Sequence, residues 1–189
     1  GNLNLNDAYV FNTGKNQWSN YSTWPPKNIN EVKYYFQSNE KLNNHTSANG
    51  DSFTEYISDP FNPVPYTAKF EDSKSFYNEV HLIEDQRYVS TRPDVLTFES
   101  EALAEDVTIA GPIIANLFVS TTGTDADFVV KVIDVYPDNG NDPDPNPAQV
   151  EMGGYERLVR TEIMRGKFRN SYENPEPFEP NIVTEVKIN

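Results

Sequence analysis

The sequence contains no cysteine and only two histidines among its 189 residues. Without cysteine, disulfide bonds and thiolate metal sites are excluded. Long apolar runs are also missing, because no stretch approaches the ~20 residues that a transmembrane helix needs. Residues 1–6 show neither the basic nor the apolar region of a signal peptide. We therefore expect no membrane partner, and the sequence leaves the cellular compartment unknown.

Basic residues are scarce. The chain has 15 Lys and Arg against 29 Asp and Glu, which gives a formal net charge of -14. Binding to nucleic acid requires clustered Lys and Arg that neutralise phosphates, and an anionic membrane surface attracts the same side chains. We therefore expect no nucleic-acid partner and interpret the negative charge as favouring solubility.

Long helices are not expected, because 14 prolines interrupt the chain and proline lacks the N–H donor that a helix interior needs. The aromatic content of 13% favours strands. Short apolar segments separated by Gly, Pro and Asn turns favour a sandwich or barrel over a βαβ sheet. The strand candidates are residues 9–11, 17–19, 32–36, 53–57, 95–98, 107–109, 113–121, 128–136, 155–167 and 182–188.

Other segments carry more local signals. A glycine turn at residues 12–16 predicts a hairpin between the first two candidates. Residues 37–52 are rich in Asn, Ser, Lys and Gly and predict an exposed loop. Residues 71–83 are expected to hold one helical turn. Residues 128–135 are apolar on both faces, which predicts a strand in the middle of a sandwich.

Catalytic machinery is missing from the chain. No glycine has the G-x-S-x-G context of a nucleophile elbow. His45 lies in a polar loop, and His81 lies near Glu84 and Asp85, but a base without a nucleophile does not make a site. The many carboxylate pairs are expected by chance among 29 acidic residues. We therefore assign no catalytic residue and expect no cofactor.

Two weaker site hypotheses remain. Asp138, Asp142 and Asp144 offer oxygen ligands to Ca²⁺, but their spacing does not match an EF-hand, and a solvated acidic loop is the favoured alternative. Trp18 and Trp24, with Tyr21, are candidates for a sugar-stacking platform. Packing in a core or an interface is the favoured interpretation of these aromatic residues.

A series of motifs that follow one another along the chain is a more specific signal of function than either of these site hypotheses. The motifs are DPFNPVP at residues 59–65, EDQR at 84–87, RPDVL at 92–96, LAEDVTIAG at 103–111, TTGTDADF at 121–128 and KVIDVYPD at 131–138. The series resembles the C-terminal β-sandwich of a group of serine hydrolases. This group comprises X-Pro dipeptidyl-peptidases, cocaine-esterase-like enzymes, α-amino-acid ester hydrolases and glutaryl-7-ACA acylases.

The resemblance implies an all-β fold, a jelly-roll β-sandwich of the galactose-binding-domain-like type. It further implies a segment at residues 1–58 that leads out of a catalytic α/β-hydrolase domain and a jelly-roll domain at 59–189. Family members continue beyond residue 189, so we expect an incomplete sandwich and a chain that is a piece of a longer protein. The expected partner is the catalytic domain of the same polypeptide, with a homo-oligomer as a further possibility.

The resemblance also implies roles for particular residues. The segment before the DQR motif supplies the candidates for the edge of the substrate pocket, Phe76, Tyr77, Val80, His81 and Leu82. Packing of these residues against the catalytic domain is the favoured alternative. Arg87, Arg92 and Asp94 are expected to form a structural ion-pair cluster. The parent enzyme is expected to be periplasmic or secreted. Two alternatives stay open, a carbohydrate-binding module and a structural interaction domain.

Overall fold

The computed structural model describes residues 6–47, 53–68 and 79–189. The chain divides into two compact units that alternate along the sequence. Unit 1 comprises Gly1–Thr54 and Thr97–Ile113, and unit 2 comprises Glu55–Leu96 and Ile114–Asn189. The boundary predicted between residues 58 and 59 stays a prediction.

Unit 1 begins with the predicted hairpin. Strand β1 (Ala8–Asn12) pairs with β2 (Gln17–Tyr21) in antiparallel register, with Phe11 opposite Trp18. The Asn12 side chain accepts a hydrogen bond of 2.9 Å from the Lys15 backbone N–H, which closes the turn. The hairpin prediction is therefore confirmed.

A second, smaller hairpin lies where the sequence predicted an exposed loop. Strand β3 (Tyr35–Gln37) pairs with β4 (Lys41–Asn43) across a 3-10 turn at Ser38–Glu40. The prediction of a loop over residues 37–52 is wrong at β4. The physical reason is tertiary, because the Leu42 N–H donates to the Glu99 carbonyl at 2.9 Å and the Phe36 and Phe98 rings lie 4.3 Å apart.

Three of the short strand predictions are also wrong. Residues 53–57, 95–98 and 107–109 form no strand, although Glu99 makes an isolated parallel bridge to Lys41. Their apolar residues are too few to specify a strand, and in the described part of the chain they lack a continuous pairing partner.

Unit 2 contains the longer strands. Strand β5 (Ala115–Val119) pairs with β8 (Thr184–Ile188), and β6 (Asp127–Val135) pairs with β7 (Glu156–Arg165), both antiparallel. These elements confirm the four predictions over residues 113–121, 128–136, 155–167 and 182–188.

The core of unit 2 lies between these two strand pairs. Its buried residues are Phe178, Val186 and Ile188, and alternate residues of β5 and β6 pack around them with Met164 of β7. The alternation has the period of two expected when one face of a strand is buried. Together with the short helical turns, α1 (Arg87–Ser90) included, these elements make an all-β fold, as predicted. The jelly-roll connectivity stays a prediction.

Strand β6 differs from its prediction on one face. Phe128 and Val130 pack against the core, but Val129 on the opposite face is 55% exposed and its partner across the sheet, Ile163, is 60% exposed. The prediction that β6 is buried on both faces is therefore wrong in this chain. Within the described ranges, no helix is long and apolar enough to cross a lipid bilayer.

Candidate functional site

The DQR motif is anchored in unit 2 by a buried glutamine. Gln86 is 1% exposed, and its backbone N–H donates to the Glu156 carbonyl of β7 at 3.0 Å. Its side-chain amide donates to the Glu84 carbonyl at 2.8 Å, while its side-chain oxygen accepts from Lys131 Nζ at 2.6 Å. A buried amide with all these partners avoids the free-energy cost of an unpaired polar group. Gln86 thus connects α1 with both strands of the β6–β7 sheet.

Arg87 pairs with the carboxylate two residues before it. Arg87 Nε donates to Asp85 Oδ2 at 2.6 Å, and Asp85 Oδ1 accepts from the backbone N–H groups of Arg87 and Glu156. Partial burial would raise the pKa of Asp85, but these hydrogen bonds hold the pKa below its usual value. The pair therefore fixes the start of α1 against β7 through a charged group that stays ionised.

Arg92 and Asp94 form a bidentate pair. Arg92 Nε donates to Asp94 Oδ1 at 2.8 Å and Arg92 Nη2 donates to Asp94 Oδ2 at 2.7 Å. Arg92 Nη2 also donates to the Asn62 carbonyl at 3.2 Å, so the pair connects the DPFNPVP and RPDVL motifs. The Arg92 hydrogen bonds hold the pKa of Asp94 below its usual value. The structure brings Arg92 and Asp94 together and places Arg87 in the separate pair with Asp85.

The residues expected at the substrate edge are described only in part. Phe76 and Tyr77 lie outside the described residues, and only the backbone of Val80 is described, in the 3-10 turn Glu79–Leu82. His81 is half-buried, with its ring edge-on to Tyr66 at 5.6 Å. Leu82 is exposed. A hydrogen bond from the Tyr155 hydroxyl to the Ile83 carbonyl holds the end of this turn.

One polar cluster beside this turn was not predicted from the sequence. Lys131 Nζ lies 5.8 Å from the centre of the Tyr88 ring. Burial lowers the pKa of Lys131 and raises the pKa of Tyr88. In the described part of the chain, the Tyr88 hydroxyl and Glu84 Oε2 are buried without a hydrogen-bond partner. The hydrogen bond between Lys131 and Gln86 joins residues 45 positions apart, so no local spacing in the sequence could have predicted this cluster.

The acidic loop after β6 is closed by its own hydrogen bonds. Asp142 Oδ1 accepts from the Met152 N–H at 2.8 Å, and the Asn146 side chain bonds the backbone of Val150 in both directions. Among the described residues, no three His, Asp or Glu side chains form a group that could hold a metal ion. The structure therefore does not assemble Asp138, Asp142 and Asp144 into a calcium site.

The aromatic residues of the β1–β2 hairpin and of the segment after it form two separate groups. The Tyr9 and Trp18 rings stack at 4.9 Å with an angle of 13° between their planes, and Phe11 lies 5.3 Å from Trp18. Tyr21 and Trp24 meet edge-on at 5.5 Å. Sequence proximity suggested one group with Trp18, Tyr21 and Trp24, whereas the hairpin register sets the actual neighbours of Trp18.

The chain matches one family model over residues 7–189, that of the X-Pro dipeptidyl-peptidase C-terminal non-catalytic domain. It is 28% identical over 187 residues to a protein named cocaine esterase from Rhodococcus sp. (strain MB1 Bresler), covering 95% of this chain and 29% of that protein.

Two solved structures are also similar. An aminopeptidase from a marine sediment Thaumarchaeota archaeon matches with a TM-score of 0.85 and 36% identity, over 98% of this chain and 30% of its own. A selenomethionine-labelled α-amino acid ester hydrolase matches with a TM-score of 0.79 and 36% identity, over 95% and 29%. The chain thus spans about 30% of the length of these relatives.

Proposed function

The chain belongs to the family of X-Pro dipeptidyl-peptidase C-terminal non-catalytic domains, and from this premise we propose that it is the accessory β-sandwich of a larger serine hydrolase. The parent enzyme carries an α/β-hydrolase domain in the same polypeptide. That domain cleaves ester or amide bonds by a Ser-His-Asp triad through an acyl-enzyme. This chain contributes no catalytic group to the reaction.

One observation carries the proposal. The family match runs over residues 7–189, yet the chain spans only 29% of the cocaine esterase and 30% of the aminopeptidase. The names of these relatives describe hydrolysis of ester or peptide bonds. The larger remaining part of such a protein is the natural place for the nucleophile and base that this sequence lacks.

The outer faces of the sheets support a role in packing. Phe118 on β5 is 70% exposed, and Val129 and Ile163 form an apolar pair on the outer face of the β6–β7 sheet. Large apolar side chains on an outer sheet face are typical of a surface that another body covers. We assign these faces to contacts within the larger enzyme.

The turn before the DQR motif is the proposed edge of the substrate pocket. Leu82 and Ile83 are 51% and 73% exposed, while the neighbouring backbone is held by Gln86 and Tyr155. An exposed apolar tip on an anchored turn is suited to lining a pocket that lies on another domain. In this proposal His81 and Leu82 shape the pocket and carry out no proton transfer.

A second candidate function, glycan binding, is favoured by the exposure of both tryptophans. Trp18 is 57% exposed and Trp24 is 44% exposed. Against it, one face of the Trp18 ring is already covered by Tyr9, and Trp24 meets Tyr21 edge-on. A flat platform for a sugar needs open ring faces, so the accessory-domain function is the better supported of the two.

The test is fluorophosphonate labelling with ester hydrolysis, on the 189-residue chain and on the polypeptide extended upstream. We expect the short chain to be inert and the long one to label and turn over. Labelling of the short chain would contradict its non-catalytic role. If both are inert and the short chain binds soluble oligosaccharides in calorimetry, glycan binding replaces the proposal.

A further inference from the structure

One face of the β1–β2 hairpin is built almost entirely of exposed aromatic rings. We define this aromatic face by Tyr9, Phe11, Trp18 and Asn20, which share one side of the sheet because Tyr9 pairs with Asn20 and Phe11 with Trp18. Tyr9 is 61% exposed, Phe11 40% and Trp18 57%. The rings hold one another in fixed positions through the stacked contact of Tyr9 and Trp18 at 4.9 Å.

The aromatic face carries no charged residue, although 23% of the chain is charged and its net charge is -14. The charged residues nearest to this face in sequence, Asp7 and Lys15, lie outside the two strands, before β1 and in the turn. Enrichment in aromatic residues and depletion of charge distinguish the core of a protein interface from the rest of a surface.

Among the described residues, the hairpin packs through its other face. On its opposite side Ala8, Val10 and Ser19 are already half-buried, so the packing of the hairpin within the chain is satisfied there. A two-stranded hairpin on its own is marginally stable at best in water. Three large rings that remain exposed on such an element gain stability from a covering partner, because each ring buries a large apolar area.

The occupant follows from the position of the hairpin in the family. The match to the family model begins at residue 7, one residue before β1. The family is described as a C-terminal domain, so the hairpin lies at the end of the matched range that is nearer in sequence to the rest of a larger enzyme. We propose that the aromatic face docks on the catalytic domain of the same polypeptide. This inference rests on the proposed function and names the surface through which the accessory domain packs on the catalytic domain.

The test is hydroxyl-radical footprinting of the full-length polypeptide, native and unfolded, with mass-spectrometric readout at single residues. We expect Tyr9, Phe11 and Trp18 to be strongly protected in the native enzyme. Tyr172, which is 80% exposed here, is the internal reference and should label rapidly. Equal labelling of Trp18 and Tyr172 in an enzyme that reacts with fluorophosphonate would overturn the docking surface and leave the proposed function standing.

A double variant tests the same docking surface through the stability of the full-length enzyme. Tyr9→Ser with Trp18→Ser in the full-length enzyme should lower its melting temperature and raise the labelling of residues on the catalytic domain, whereas Tyr172→Ser should do neither. Two further outcomes would contradict the proposal. Protection that increases with protein concentration would indicate a second copy. Protection that depends on added cellohexaose or maltohexaose would indicate a sugar surface.

Discussion

At the scale of single residues, the Arg92–Asp94 pair is the best defined of the predicted interactions. Its two charged groups are two residues apart in sequence and make two hydrogen bonds. The pairing was predictable because short separations leave few arrangements open. The partner of Arg87 was not predictable in the same way, since Asp85 and Asp94 were both near it in sequence and only the position of β7 selects Asp85.

Arg92→Ala is predicted to lower the melting temperature of the full-length enzyme and to have a smaller effect on substrate affinity. The substitution leaves Asp94 and the Asn62 carbonyl without their donor, and an unpaired, largely covered carboxylate is costly. Melting by circular dichroism and KM measured in parallel would check this. The matched control is Arg160→Ala, because Arg160 and Glu162 form an exposed pair and such pairs contribute little to stability. A changed KM with unchanged melting would contradict the structural role.

The same pair predicts a pH dependence. The pKa of Asp94 is lower in the folded protein than its usual value, so the pair stabilises the fold fully above the unfolded pKa of ~3.9. This contribution is lost as the pH falls through the lower, folded pKa. The difference in melting temperature between wild type and Arg92→Ala should therefore be constant near neutral pH and shrink below about pH 4. A difference that grows in acid would rule out this assignment.

At the scale of elements, the sequence predicted the long strands well and the short ones poorly. Strands β5 to β8 have enough alternating apolar residues to specify a face, and all four were found. Strand β4 has three residues and is held by the Leu42–Glu99 hydrogen bond, a contact across 57 positions that no local pattern contains. The exposure of the outer face of β6 was not predicted for another reason. The apolar composition of a strand does not show whether its own chain or another domain covers each face.

The turn after β7 depends on Gly166. A β-carbon at this position would overlap the Phe178 ring, which is part of the buried core of unit 2. We therefore predict that Gly166→Ala destabilises the fold by about 1–3 kcal/mol, as overpacking of a core does. Urea unfolding of the full-length enzyme measures this. Gly123→Ala is the control, because its new β-carbon would make only ordinary contacts. Equal urea midpoints for the two variants would show that the Phe178 ring moves aside without lowering the free energy of unfolding, which would contradict the prediction.

At the scale of the whole chain, the exposed apolar faces predict self-association when the 189-residue chain is prepared alone. Val129 and Ile163 are both more than half exposed, and exposed apolar faces and open sheet edges promote association. We expect the sedimentation coefficient to rise with concentration, and to rise less in a variant with both Val129→Thr and Ile163→Thr. A sharp monomer with high, reversible thermal stability would contradict this prediction.

The alternation of the two units along the chain constrains the order of events during synthesis. Unit 1 needs residues up to Ile113, although its first segment ends at Thr54, and unit 2 needs β8 at residues 184–188. The early hairpin therefore leaves the ribosome well before the segment that completes its unit. Domains of a nascent chain generally fold as units, N-terminal first. Here the first segment of unit 1 must wait for the segment that ends at Ile113, and Glu55–Leu96 must wait longer, for β8 at Thr184–Ile188. Both early segments are therefore exposed to chaperones and proteases while the protein is being made.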